Sequence, residues 1–210
     1  DTYSDTINIT TLVQNTCLAS VTSVGYVIFL NSGSFVNLTC INSTIANPEL
    51  IRYDNGEWIL NASIVKNYNE TILEIINTRI KLANSSIISS YGNINITNSN
   101  IFSWNNTNNT YQFTAINNVA VDNTINSYVY INNNYCDNVI LRNSSFNYLG
   151  RRPYKFKGSG LYVDAANNPS CTAQLINVTT TYNYFGLELY KIAANVINFT
   201  SYNSTVLGFA

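Results

Sequence analysis

The sequence predicts an all-β chain wound as a coil of short strands. Three observations carry that prediction. Ile, Val, Thr, Tyr and Asn dominate, and no long stretch sustains a 3.6-residue apolar period. Strand-like alternation recurs at residues 93–97, 128–131 and 186–190. A six-residue unit also returns along the chain: apolar, any residue, Asn, any residue, usually Ser or Thr, then apolar.

Residues 1–13 lie outside this repeat. There Thr6-Ile7-Asn8-Ile9-Thr10 alternates and runs into Leu12 and Val13, which reads as an N-terminal extension, a donor or capping strand. Residues 14–210 read as a single β domain, long enough to bury a core. Within it the repeat centres on Asn42, Asn61, Asn84, Asn98 and Asn143. Looser copies follow at Asn177 and Asn198, where Thr180 and Ser201 replace the last apolar residue. The steps between these asparagines are 19, 23, 14, 45, 34 and 21 residues. Several match one turn of a parallel coil; the 45-residue step reads as two turns and the 34-residue step as one turn plus an insertion. Stacked turns repeat each position up the axis, with aliphatics inside and asparagines at tight left-handed corners, amide on amide.

The stretch from Gly160-Leu161-Tyr162-Val163 through Asn177, Gly186-Leu187-Glu188-Leu189 and Asn195 to Asn198 carries a cadence of glycine, alternating apolars and spaced asparagines. In this it resembles the right-handed parallel β-helix superfamily, the pectate-lyase-like and periplasmic copper-loading-type repeats, over about residues 33–210. The competing architecture is an antiparallel β-sandwich of the pilin-like kind. A β-helix end is an edge that must be capped or will pair with another chain. Residues 206–210 read as a turn begun and stopped, so strand addition between copies and an internal cap are both open readings.

Thirteen asparagines open an Asn-x-Ser/Thr sequon, which predicts a secreted, N-glycosylated protein. Glycans are expected at Asn8, Asn37, Asn69, Asn95, Asn105, Asn108 and Asn203. Asn42, Asn61, Asn84, Asn143, Asn177 and Asn198 fall on the repeat column and are discounted, because a stacked interior asparagine cannot carry a sugar. Charged residues make up 10% of the chain and the net charge is -1, so no global field attracts nucleic acid. The most apolar segment, residues 24–30, is far shorter than the roughly 20 residues of a membrane-spanning helix. Residue 1 is Asp, which reads as a mature form. Cys17, Cys40, Cys136 and Cys171 have no zinc-ribbon spacing and no His to help them. They predict two disulfides, most economically Cys17–Cys40 and Cys136–Cys171, with three connectivities open.

For chemistry, the β-helix resemblance implies polysaccharide cleavage by clustered carboxylates, often with calcium and a basic residue. No two acids are adjacent in this sequence, and histidine is absent. Arg79-Ile80-Lys81 matches the polygalacturonase tripeptide, but the accompanying Gly-His-Gly is impossible, so the match reads as coincidence. Glu70 with Glu74, and Asp122 with Asp137, are weak acid pairs. The segment 151–157 interleaves Arg151, Arg152, Lys155 and Lys157 with Tyr154 and Phe156, as a surface loop or a grip for a polyanion or sugar. Tyr128, Tyr130, Tyr135, Tyr182 and Tyr184 read as stacking between turns ahead of a sugar-binding surface.

Taken together, these features predict a non-enzymatic, N-glycosylated extracellular subunit of a filament, pilus or surface layer, without metal or cofactor. Its partners would be copies of itself, joined head to tail, and covalent glycans. In its Asn/Ile/Tyr/Thr richness, missing His and Met and dense sequons, the chain is similar to heavily glycosylated Sulfolobales-type archaeal thread subunits. A carbohydrate-binding adhesin or viral fibre is the second reading, and a polysaccharide lyase or hydrolase the third.

Overall fold

A computed structural model describes residues 17, 19–83, 85–111, 127–150, 160–165 and 167–204. The first coil begins with β1 (Ala19–Val24), which pairs antiparallel with β2 (Val27–Gly33) and covers that strand's edge. β3 (Phe35–Asn37) then leads into α1 (Leu38–Ile45), and the hairpin of β4 (Ile51–Asp54) and β5 (Glu57–Leu60) closes the coil. Coil two is β6 (Ser63–Lys66), β7 (Ile72–Ile76) and β8 (Arg79–Ala83). Coil three is β9 (Ile87–Tyr91), β10 (Ile94–Thr97) and β11 (Asn100–Asn105), to which β12 (Thr110–Tyr111) adds a short antiparallel strand. In coils four and five one long strand bends through a corner: β13 (Tyr128–Asn132) precedes β14 (Val139–Asn147), and β15 (Gly160–Asp164) precedes β16 (Thr172–Thr181). Coil six is β17 (Phe185–Tyr190), β18 (Ala193–Ile197) and β19 (Thr200–Tyr202).

Each strand lies parallel on its counterpart in the next coil, giving a right-handed parallel β-helix with three flanks. The first flank is the seven-stranded sheet β1-β2-β6-β9-β13-β15-β17. The second and third are joined through β14 and β16 into one twelve-stranded sheet. Among the described residues, antiparallel pairing is confined to β1–β2, β4–β5 and β11–β12, which excludes the sandwich. Alternation sends every second side chain inward. On the first flank Ile28, Ile64, Ile88, Val129, Leu161 and Leu187 stack in register, all at 0% exposure. On the second, Ile75, Ile96, Leu141, Leu175 and Val196 also stack in register, the last of them half-buried. The third-flank column runs Trp58, Ile80, Ile101, Phe146, Thr180 and Ser201. Its last two members are polar, and the Thr180 hydroxyl donates to Ser201 Oγ at 3.0 Å.

The asparagine ladder is present, with different rungs and a different orientation from those expected. Asn98 Nδ2 donates to Asn77 Oδ1 (3.0 Å), Asn143 to Asn98 (3.0 Å), Asn177 to Asn143 (2.8 Å) and Asn198 to Asn177 (3.0 Å). All five sit at positive φ, between 47 and 55°, at the corner between the second and third flanks. Left-handed backbone is cheaper for Asn than for most residues, because its short side chain can hydrogen-bond locally. The ladder faces solvent, which corrects the interior column. Asn61 follows β5 at another corner, where it accepts from Asn106 Nδ2 at 2.7 Å. Asn42 lies in α1, an element the weak helical signals did not predict. That helix forms because Asn37 Oδ1 caps it, accepting from Cys40 N at 2.8 Å, and because Leu38 and Ile41 bury one face. Asn84 and residues 1–13 lie outside the described residues.

Ladder steps are 21, 45, 34 and 21 residues. Both long steps are single turns with an insertion, so the two-turn reading of the 45-residue step is corrected. The long connections, from β11 to β13 and from β14 to β15, both open at the corner between the third and first flanks. Gly160 enters β15 at φ +137, where an added Cβ would stand 2.4 Å from the Phe185 carbonyl oxygen. Cys17–Cys40 and Cys136–Cys171 are the disulfides, the second joining successive corners between the first and second flanks. They are consistent with a non-cytoplasmic location. No described helix is long and apolar enough to cross a membrane.

Candidate functional site

Outward positions on a β-helix flank are ordinarily exposed, yet five polar ones on the seven-stranded sheet are buried. Tyr130 is 6% exposed, Asn132 7%, Tyr162 3%, Asp164 4% and Glu188 6%. Strand register builds the cluster. Tyr130 of β13 lies beside Tyr162 of β15, which lies beside Glu188 of β17. Two residues along the same strands, Asn132 pairs with Asp164 and Asp164 with Tyr190. The Tyr130 hydroxyl donates to Asp164 Oδ2 at 2.8 Å and accepts from Asn132 Nδ2 at 3.0 Å. The Tyr130 and Tyr162 rings stack with centroids 5.5 Å apart and planes at 20°. Burial pushes both phenol pKa values up, and the Asp164 charge adds to the effect at each. The two tyrosines therefore stay protonated and neutral at physiological pH.

A second cluster is turned inward. Lys66 is 0% exposed and donates to the Tyr68 carbonyl at 2.7 Å and to the Tyr91 carbonyl. Burial lowers its pKa to about 8, against the opposing pull of Asp137 and Glu70. Asp137 Oδ1 accepts from Asn93 Nδ2 at 3.4 Å, and burial raises the pKa of its carboxyl. With its amine sealed in the coil, Lys66 faces no substrate.

On the third flank Glu57 bridges Arg79 Nε (2.8 Å) and Lys81 Nζ (2.7 Å). Lys81 lies 4.2 Å over Trp104 and Arg79 5.4 Å over Phe102. The Arg79-Ile80-Lys81 tripeptide is thus a strand with Ile80 in the core and both cations tied to one carboxylate.

The predicted tyrosines scatter. Tyr182 joins a column with Tyr148 and Tyr111, at 5.2 and 4.6 Å and near-parallel planes, so these rings meet one another. Tyr184 packs edge-on to Phe185, Tyr135 is exposed, and Tyr128 precedes Tyr130 by one outward position. Of the five, only Tyr130 is in the candidate site. Glu74 is on β7, apart from Glu70, and Asp122 and the segment 151–157 lie outside the described residues. Among those described, no three His, Cys, Asp or Glu residues gather as a metal site. Sequence reasoning missed Asp164 and Glu188. The signal was present in Gly160-Leu-Tyr-Val-Asp and Gly186-Leu-Glu-Leu-Tyr, whose leucines, Leu161 and Leu187, pair and put Tyr162 and Glu188 in one outward row, with a register shift at Gly160.

The fold and this face define a β-helix with a polar cluster on its first flank, the arrangement to which the comparisons with known proteins can be referred. No protein-family profile and no curated sequence matches the chain. Among solved structures, the chain is similar to the periplasmic alginate epimerase AlgG, with TM-score 0.70 and 16% identity, over 82% of this chain and 41% of that one. A single-site mutant of the same epimerase aligns over 84% and 42%, with the same score and identity. The chain therefore spans about two fifths of the length of these structures. At this identity the likeness shows the shared fold.

The likeness also corrects the expectation of a non-enzymatic filament or surface-layer subunit. The structural neighbours are a carbohydrate-modifying enzyme, which fits the third reading, a polysaccharide-acting β-helix. Absent histidine counted against an enzyme in the sequence, but it does not remove proton transfer. Proton transfer can be performed by Tyr and by carboxylates, and both are buried together here.

Proposed function

We propose that this chain is a polysaccharide-modifying enzyme whose chemistry takes place on the outer face of the seven-stranded sheet. The observation that carries the reading is the buried Tyr130–Asp164 hydrogen bond beside Glu188. Tyr130 is the proton donor, held by Asp164 and Asn132 in one orientation. Glu188 supplies a second carboxylate, diagonal to Asp164 on the adjacent strand. That offset puts their Cα atoms about 8 Å apart on adjacent strands. The AlgG neighbours act on alginate, a polysaccharide, and this supports the substrate class. The sequons and disulfides support action outside the cell.

The test is incubation with a panel of polyuronates and neutral polysaccharides, with three readouts: inverted sugar protons by NMR, unsaturated products by ultraviolet absorbance, and new reducing ends. Tyr130→Phe and Asp164→Asn are expected to lower turnover at least 100-fold, the scale of a lost acid–base group. Full activity in both variants, or binding without turnover on every polymer, would overturn the proposal.

A further inference from the structure

We infer that the asparagine ladder is itself an N-glycan attachment rail, with Asn143 and Asn198 as its occupied rungs. Three consecutive rungs, Asn143, Asn177 and Asn198, open sequons, whereas Asn77 and Asn98 do not. All five are exposed. The ladder borders an open groove of about 640 Å³ lined in part by Asn77, Asn98 and Asn143, so there is space for sugar beside Asn143.

The ladder bonds do not stand in the way. Asn143 and Asn177 each donate one N–H to the rung below and accept at Oδ1 from the rung above, and Asn198 donates to Asn177. A glycosylated asparagine is a secondary amide, planar and trans like a peptide, so its remaining N–H points opposite to its C=O. That is the pair of directions a stack of amides uses. The sugar replaces the other hydrogen, and the ladder persists. The sequon hydroxyls form a column of their own on the third flank, with Ser145 beside Thr179 and Thr179 beside Thr200. The coil therefore repeats acceptor and hydroxyl together.

Rung spacing sets the occupancy. Successive strands lie about 4.8 Å apart, close to the thickness of one sugar ring. Glycans two rungs apart fit; a third between them crowds both. Asn177 is then the least occupied of the three. The rail lies between the second and third flanks, away from the seven-stranded sheet, so this inference does not depend on the catalytic reading.

The full chain, secreted from a glycosylating host, is mapped by enzymatic glycan release in heavy-oxygen water, which marks each formerly occupied asparagine as labelled Asp. Marks at Asn143 and Asn198, with less at Asn177, are expected. Thr200→Ala removes the Asn198 sequon but leaves its ladder amide, and should raise Asn177 occupancy at least twofold. Unmarked Asn143 and Asn198 alongside marked off-ladder sites, or no marks anywhere, would overturn the rail. Equal, full occupancy of all three rungs would overturn the spacing argument.

Discussion

Lys66 follows Val65 on β6, and strict alternation sends it inward with Ile64. Its ammonium is sealed in the coil and held by two carbonyls, with its pKa lowered from 10.5 to about 8. Between those values the unfolded chain binds more protons than the folded one, so stability rises with pH across that window. Below about pH 8 the full penalty of burying the charge applies. The expected slope, at most about 1.4 kcal/mol per pH unit, should vanish in Lys66→Met. Urea midpoints measured at pH 7, 8, 9 and 10 check this. At higher pH the sign reverses. Tyr130 and Tyr162 keep their protons in the folded state when the unfolded chain has begun to lose them, so stability falls above about pH 10. Alternation makes the inward position of Lys66 readable from sequence, but a rule that places lysines outside misreads it. The candidate site was less legible. Asp164 and Glu188 lie 24 residues apart, and only strand register sets them on a diagonal.

Elements repeat this lesson at the corners. From coil two to coil six the ladder corner takes one or two residues, whereas in coil one α1 and β4 occupy it and the other two corners vary in length. The repeat pattern was visible, yet it mixed corners, because Asn61 also follows an inward apolar residue and precedes another. Asn77 was missed although Ile75 and Ile80 flank it correctly; Arg79 stands two places on, where Asn98 has Asn100 and the other copies Ser or Thr. Its place in the ladder is fixed by tertiary stacking, to which the residue two places on is indifferent. Asn98 is the rung on which a break is most informative, since it donates to Asn77 and accepts from Asn143 at φ +51. Asn98→Ala should cost about 2 kcal/mol, from two exposed hydrogen bonds and a left-handed Cβ. Asn98→Gly should recover the backbone share only. Chemical denaturation of the two variants separates the contributions.

At the scale of the whole molecule, each coil contacts mainly its neighbours, so stability is distributed along the axis and not held in one centre. The Cys136–Cys171 bridge spans 35 residues and clamps coil four to coil five. Loop-closure entropy assigns such a bridge about 4 kcal/mol. Replacing both cysteines with serine should lower stability by that order, with amide-exchange protection lost first in β14 to β16. Uniform loss of protection along the chain would show that the coils are not separable. The parallel coil itself was legible because the interior aliphatics recur with every turn. The insertions were not, because a 45-residue step carries no mark telling one turn from two. The constant ladder corner therefore serves the molecule as a spine with two editable edges. Loops of any length can be grafted at the other corners without disturbing the stack. A single residue added at the spine would slip the following strand by one and turn its inward side chains to water.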